Sequence, residues 1–159
     1  MRRDERTAAV IPSPRPRLPF FVYGTLRPGQ ANHVLVAGRT APPKPAVLPG
    51  ALLYDGPGYP YAVAAEGDAA ADTVHGELLH VLPGHYERVL ADLDRLEEHV
   101  PGARGNLYER LVLRVVCDDL PCEAWVYLAG EGPARTLRAS GRVIPGGDWA
   151  RERPPHRRS

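Results

Sequence analysis

Cysteine, lysine and aromatic residues are all scarce in this chain, and each scarcity removes a class of protein. The two cysteines, Cys117 and Cys122, are too few for a multi-bridge secreted scaffold, so the sequence points to a reducing, cytoplasmic setting with both thiols as small apolar filler at the ends of two neighbouring strands. Aromatic residues make up 7% of the chain. No window approaches the roughly 18 apolar residues of a membrane span, and the early run Ala8 to Ile11 is broken by Pro12 before it reaches the length of a signal-peptide core. Charge of one sign is lacking too: 20 Lys+Arg against 19 Asp+Glu leaves a formal +1. That balance recommends neither nucleic acid nor an acidic membrane as a partner. Only Lys44 is lysine; the bias towards arginine is given no functional weight.

Glycine and proline are what the chain has in excess, 16 and 18 in 159 residues. That content disfavours a helical bundle and favours short strands joined by many turns. Residues 1–17 place Pro12, Pro14 and Pro16 on alternate positions among arginines, and residues 151–159 repeat the style with Pro154 and Pro155, so both ends read as disordered tails. Much of the arginine sits in these tails, which leaves the domain between them, residues 18–150, more acidic than the total suggests. A domain of this size buries roughly two thirds of its unfolded surface and needs no metal or disulfide to hold a core.

Within 18–150 the first element is the apolar run Leu18 to Tyr23, a strand buried on both faces and stopped by Gly24. Ala31 to Ala37 reads as a short helix ended by Gly38. Strands are expected at Ala46–Tyr54, Tyr61–Ala65, Thr73–Val81, Tyr108–Cys117 and Cys122–Leu128, the last two forming a hairpin through Asp118 to Pro121. Val143 to Trp149 reads as a final short strand and turn, and 130–142 as a turn-rich loop. The strongest helix runs from Pro83 to about Glu98, with Tyr86, Val89, Leu90, Leu93 and Leu96 on one stripe. The architecture expected is α+β: a small mixed β-barrel of about six short strands with this one main amphipathic helix packed against it.

Two features carry chemistry. On a wheel that sets Leu93 at zero, Glu97 falls at about +40°, inside the apolar stripe, whereas Glu98 falls at about 140° with the solvated face. An inward carboxylate is a frayed-end residue, a salt-bridge member or a working acid/base; partial burial moves its pKa towards neutrality, where proton transfer is most useful. The second feature is Tyr23-Gly24-Thr25-Leu26, a buried strand running through glycine into a tight turn. Such turns expose successive backbone N–H groups to a carboxylate or an oxyanion, and glycine admits close approach.

Other chemistries find less support. His75, His80 and His85 stand five apart, which puts the first two on opposite faces of a strand, and no His or Cys spacing matches a metal site. Cys117 has no paired base beside it to make it a nucleophile. A reading in which the arginine-rich tails contact RNA or acidic lipid requires salt-sensitive binding that is lost on trimming them.

Tyr23-Gly24-Thr25-Leu26-Arg27 followed by Gly29-Gln30-Ala31-Asn32-His33 resembles the N-terminal signature of the gamma-glutamylcyclotransferase-like superfamily. Gly76-Glu77-Leu78, Leu93-Asp94-Arg95-Leu96-Glu97, Tyr108-Glu109-Arg110 and Ala124-Trp125-Val126-Tyr127 fit it in order, over about residues 19–149. The resemblance implies a small β-barrel with flanking helices and no cofactor. It implies cleavage of a gamma-glutamyl amide by internal attack, releasing 5-oxoproline and an amine or amino acid. Carried over by motif, Tyr23, Gly24, Thr25 and Leu26 bind substrate and Glu97 is the catalytic acid/base; Tyr108 and Tyr127 are further candidates to orient Glu97 or the substrate. The expected partner is thus a small gamma-glutamyl molecule. Arg104 and Arg135 are candidate readers of an acidic leaving group, and a non-catalytic binding barrel of the same fold is the rival reading. Leaving amine and oligomeric state stay open at this level.

Overall fold

The computed structural model describes residues 17–56, 58–65 and 72–149. The tails expected at 1–17 and 151–159 lie outside the described residues except for Arg17, whose guanidinium donates to the Pro83 carbonyl at 3.0 Å.

Five strands close into a barrel, in the order β1 (Phe20–Val22), β5 (Thr73–Leu79), β2 (Lys44–Pro49), β6 (Tyr108–Cys117) and β7 (Leu120–Ala129). β1 is antiparallel to β5 and meets β7 in parallel through Phe20 and Trp125. β3 (Ala51–Tyr54) and β4 (Tyr61–Ala64) form a separate two-stranded sheet. Gly50, at φ 75°, turns the chain between β2 and β3. The single strand expected over Ala46–Tyr54 is therefore two, because only a residue free of a Cβ takes that conformation cheaply. The β6–β7 hairpin closes more tightly than expected, on Asp118 and Asp119 alone, both at positive φ. This is the two-residue turn whose twist matches the flanking strands.

β1 is buried on both faces, as its uninterrupted apolar run predicts. Phe21 and Tyr23 pack inside the barrel with Leu78, Val115 and Val126, while Phe20 and Val22 face outward to the main helix. That helix, α1 (Tyr86–Leu96), follows a 3-10 turn at Pro83–His85 and seals the outer layer with Tyr86, Val89 and Leu93. Gly76 sits where β5 crosses β1, and a Cβ there would lie 2.2 Å from the Val22 carbonyl oxygen.

Three local expectations need correction. Residues 31–37 form only a 3-10 turn at His33–Leu35. The stretch 130–142, expected as loop, contains a second helix, α2 (Glu131–Ser140). Its Gly132-Pro133 start resembles a turn, yet proline is tolerated in a helix's first turn. Ala134 is its only buried residue, so it carries almost no apolar stripe to betray it. The end of the domain, expected as a strand, pairs only through Val143 with Tyr54 before a 3-10 turn at Pro145–Gly147.

Candidate active site

α1 ends in a way that decides where its acidic residues go. The Glu98 amide returns to the Arg95 carbonyl at 3.2 Å and the His99 amide to the Asp94 carbonyl at 2.8 Å. This pair of bonds is a Schellman closure, with Glu97 as the cap and Glu98 in the left-handed position at φ 54°. The Glu97 amide still bonds to the Leu93 carbonyl at 2.9 Å, so its side chain keeps the inward direction of the wheel. Glu98 does not, because the left-handed turn takes it off the helical path.

The two carboxylates meet a cavity of about 290 Å³ at one end of the barrel. Its wall brings together Glu97, Tyr23, Gly24, Thr25, Leu26, Tyr108 and Tyr127, the residues read from the family motifs as catalytic or substrate-binding candidates. It also holds residues that sequence reasoning missed. Tyr59 and Pro60 come from the β3–β4 connection, Asn32 and Leu107 from loops, and Glu98 itself is on the wall although the wheel had put it with the surface charges. Arg104 and Arg135 are not lining residues, and Arg135 pairs instead with Glu131 on the face of α2.

The Tyr23–Leu26 segment is held from both sides. The Arg27 amide bonds to the Gly24 carbonyl at 3.0 Å, the Asn32 amide to the Thr25 carbonyl at 2.8 Å, and Asn32 Nδ2 donates to Thr25 Oγ1 at 2.9 Å. Below it, the buried Arg27 guanidinium is anchored by Glu77 at 2.7 and 3.0 Å and by Asp148 at 2.8 Å. Burial alone would pull the Arg27 pKa down, but the two carboxylates more than reverse this. A Cβ on Gly24 would meet the Pro60 ring at 2.8 Å, so glycine lets the loop and the cavity roof approach one another. Among the described residues, the amides of Thr25 and Leu26 have no acceptor.

Three tyrosine hydroxyls surround the cavity, each fixed to an oxygen that carries no hydrogen. Tyr23 donates to the Tyr127 carbonyl, Tyr108 to the Pro60 carbonyl at 2.7 Å, and Tyr127 to the Asp94 carboxylate at 2.6 Å. Burial pushes all three phenols well above their ordinary range, with the charge of Glu97 adding to it, so they stay protonated. Asp94 also receives the Arg110 guanidinium at 2.8 and 3.2 Å, and Arg110 lies 4.3 Å from the centre of the Trp125 ring. This cluster ties the last turn of α1 to β6 and β7. The paired spacing of Asp94 in the helix and Arg110 in the strand is visible in the sequence, but nothing there says that they meet.

Glu97 differs from its neighbours in having no partner. Its side chain makes no hydrogen bond or ion pair among the described residues, and burial alone pushes its carboxyl from 4.5 up to about 7. A carboxyl poised near neutrality can both accept and return a proton. No group of three or more His, Cys, Asp or Glu is placed to hold a metal among the described residues. Nor is any described helix long and apolar enough to cross a membrane.

The strands thus close into a barrel whose cavity wall carries both the open amides of the Tyr23–Leu26 loop and the half-buried Glu97. The chain belongs to the family described as gamma-glutamyl cyclotransferase, AIG2-like, which matches residues 20–151. It is similar to gamma-L-glutamyl-butirosin B gamma-glutamyl cyclotransferase of Niallia circulans, 31% identical over 138 residues that span 86% of this chain and 78% of that protein. The crystal structure of an AIG2-like protein from Mus musculus superimposes with a TM-score of 0.53 at 26% identity, covering 70% of this chain and 76% of that one. An uncharacterized protein from Pyrococcus horikoshii shares the fold at a TM-score of 0.58 and 23% identity, covering 86% of this chain and 92% of that one. The protein is thus an enzyme of the gamma-glutamyl cyclotransferase type.

Proposed function

We propose that the protein cleaves a gamma-glutamyl amide by attack of the substrate's α-amine on its own γ-carbonyl, with Glu97 as general acid/base. The supporting observation is the isolation of Glu97: a carboxyl without partners among the described residues, raised to about 7, on the wall shared with the Tyr23–Leu26 loop. Attack forms the C–N bond of a five-membered lactam, and the original amide C–N bond breaks. Two protons pass from the α-nitrogen to the departing nitrogen, so the products are 5-oxoproline and an ammonium ion, and no water is consumed. Glu97 accepts the first proton as carboxylate and delivers it as acid, a role worth typically about 10²–10⁴ in rate. Because nucleophile and electrophile belong to one molecule, orientation supplies much of the remainder. The amides of Thr25 and Leu26 are suited to the substrate carboxylate or the developing oxyanion. We place the reaction in the cytoplasm, where the free thiols Cys117 and Cys122 persist reduced.

The test is 5-oxoproline release, followed by mass spectrometry, from gamma-glutamyl amines, gamma-glutamyl dipeptides and glutathione. Wild-type protein releases it from at least one, and Glu97→Gln does not while remaining folded. Binding without release from any of them would favour the non-catalytic barrel instead; full activity in Glu97→Gln would remove Glu97 from the mechanism.

A further inference from the structure

The cavity is one-sided in its hydrogen-bonding chemistry. Among the described residues, two carboxylates line it, Glu97 and Glu98, and no Arg, Lys or His does. The hydroxyls of Tyr23, Tyr108 and Tyr127 spend their single hydrogens on carbonyl or carboxylate oxygens, so each can offer a ligand only a lone pair. Of the remaining side-chain donors of the wall, Thr25 and Asn32 sit together on the loop with the open amides of Thr25 and Leu26, and Tyr59 adds a phenol from the β3–β4 connection. Apart from the Tyr59 phenol, donors therefore occupy the loop side and acceptors the rest.

A gamma-glutamyl substrate has one carboxylate of its own, and the loop can take it. Any second carboxylate, such as the one a leaving amino acid carries, would have to lie against the acceptor wall or pass Glu98. Two aromatic rings of that wall, Tyr59 and Tyr108, are backed by a third, Tyr61, that is not itself a lining residue. Tyr61 stacks on Tyr108 with ring centres 4.8 Å apart, and Tyr59 packs against both at 5.7 and 6.5 Å. The Tyr61 phenol is pushed up to about 12, mainly by burial, with the charges of Glu97 and Glu98 contributing. Glu98 is exposed and lies at the mouth, the direction in which a leaving group of variable size must extend from the scissile bond. Aromatic faces beside an exposed carboxylate attract cations and repel anions.

We infer that the leaving group is a cationic amine rather than an amino acid, and that Glu98, with the Tyr59 and Tyr108 rings of the wall, reads its distal positive charge. This rests on the cyclotransferase reading above. Three matched substrates test it, gamma-glutamyl amides of 1,3-diaminopropane, propylamine and β-alanine, which place a cation, no charge and an anion at the same distance. Release of 5-oxoproline is followed for each at low and high salt. The expected order of kcat/KM is cation, neutral, anion, with about a tenfold span or more between the ends that narrows in salt. Glu98→Gln lowers the cation-to-neutral ratio by about 3- to 10-fold, and Glu98→Lys inverts the preference. Equal use of the three amides, or a ratio unmoved in Glu98→Gln, would overturn the inference and leave the cyclotransferase mechanism standing. Release from none of them, while a gamma-glutamyl dipeptide or glutathione still yields 5-oxoproline, would overturn the inference alone; release from no gamma-glutamyl compound would bring down both.

Discussion

Asp94 and Glu97 lie three residues apart at the end of one helix, and their surroundings are opposite. Asp94 faces the seam between helix and barrel, where Arg110 and Tyr127 satisfy it at 2.8, 3.2 and 2.6 Å. Glu97 faces the cavity with no partner at all among the described residues. The contrast separates two uses of a carboxylate. Where a buried charge is fully paired it holds elements in place; where it is left alone its proton affinity rises and it becomes available for chemistry. The Arg27–Glu77–Asp148 cluster belongs with Asp94, since it fixes the Tyr23–Leu26 loop from below without lining the cavity.

The largest expected effect on that contrast comes from Glu97→Gln, with turnover falling by about 10²–10⁴ while circular dichroism and the melting transition stay those of a folded domain. Next comes the paired side. Asp94→Ala leaves the Arg110 guanidinium and the Tyr127 hydroxyl without their acceptor, and denaturant unfolding should show a loss of about 3–5 kcal/mol. Gly24→Ala follows. Its Cβ would stand 2.8 Å from the Pro60 ring, so the loop or the roof must shift; we expect a rise in KM larger than the loss of stability, which should stay within about 1–3 kcal/mol.

A smaller effect sharpens the comparison through pH. Glu97 has its pKa raised from 4.5 to about 7, so the folded protein holds a proton that the unfolded chain has lost between those values. Folding is therefore penalised as pH rises from 4.5 to 7, with the full penalty above 7 and none below 4.5. Glu97→Gln should accordingly stabilise the protein at pH 8, by about 1–3 kcal/mol, and by much less at pH 5. On the proposed mechanism the same titration should set the acid limb of kcat/KM near pH 7, since Glu97 must be ionised to take the ammonium proton. The smallest effect concerns Glu98, whose left-handed backbone at φ 54° would suit glycine better. Glu98→Gly should gain up to about 1 kcal/mol of stability at the expense of the charge selectivity inferred above.

How much of this was legible beforehand differs by element. The β6–β7 hairpin and the buried β1 could be read because their patterns are local: ten residues of paired apolar and polar positions, or an apolar run closed by glycine. α1 was legible from its stripe, and Glu97 from its place within that stripe. α2 was not, because a helix that buries one alanine leaves almost no periodic trace. Glu98 is exposed, as the wheel expects; its place on the cavity wall was not legible, because a wheel assumes that the helix continues and the Schellman closure ends it one residue earlier. Tyr59 and Pro60 had no local signal, since a turn-rich stretch looks the same whether it roofs a cavity or faces water.

The sequence by itself thus determined the class of fold, the loop Tyr23–Leu26 and the identity of the inward glutamate, all of which follow from short-range order along the chain. Tertiary structure alone decided which acidic groups are neutralised and which are free. Asp94 and Arg110, or Arg27, Glu77 and Asp148, are distant in sequence and meet only because the barrel closes. Charge neutralisation falls off over a few ångströms, so it depends on contacts that no local pattern encodes. The same closure spends the tyrosine hydrogens on fixed oxygens and gives the cavity its acceptor wall, from which the charge of the leaving group is inferred.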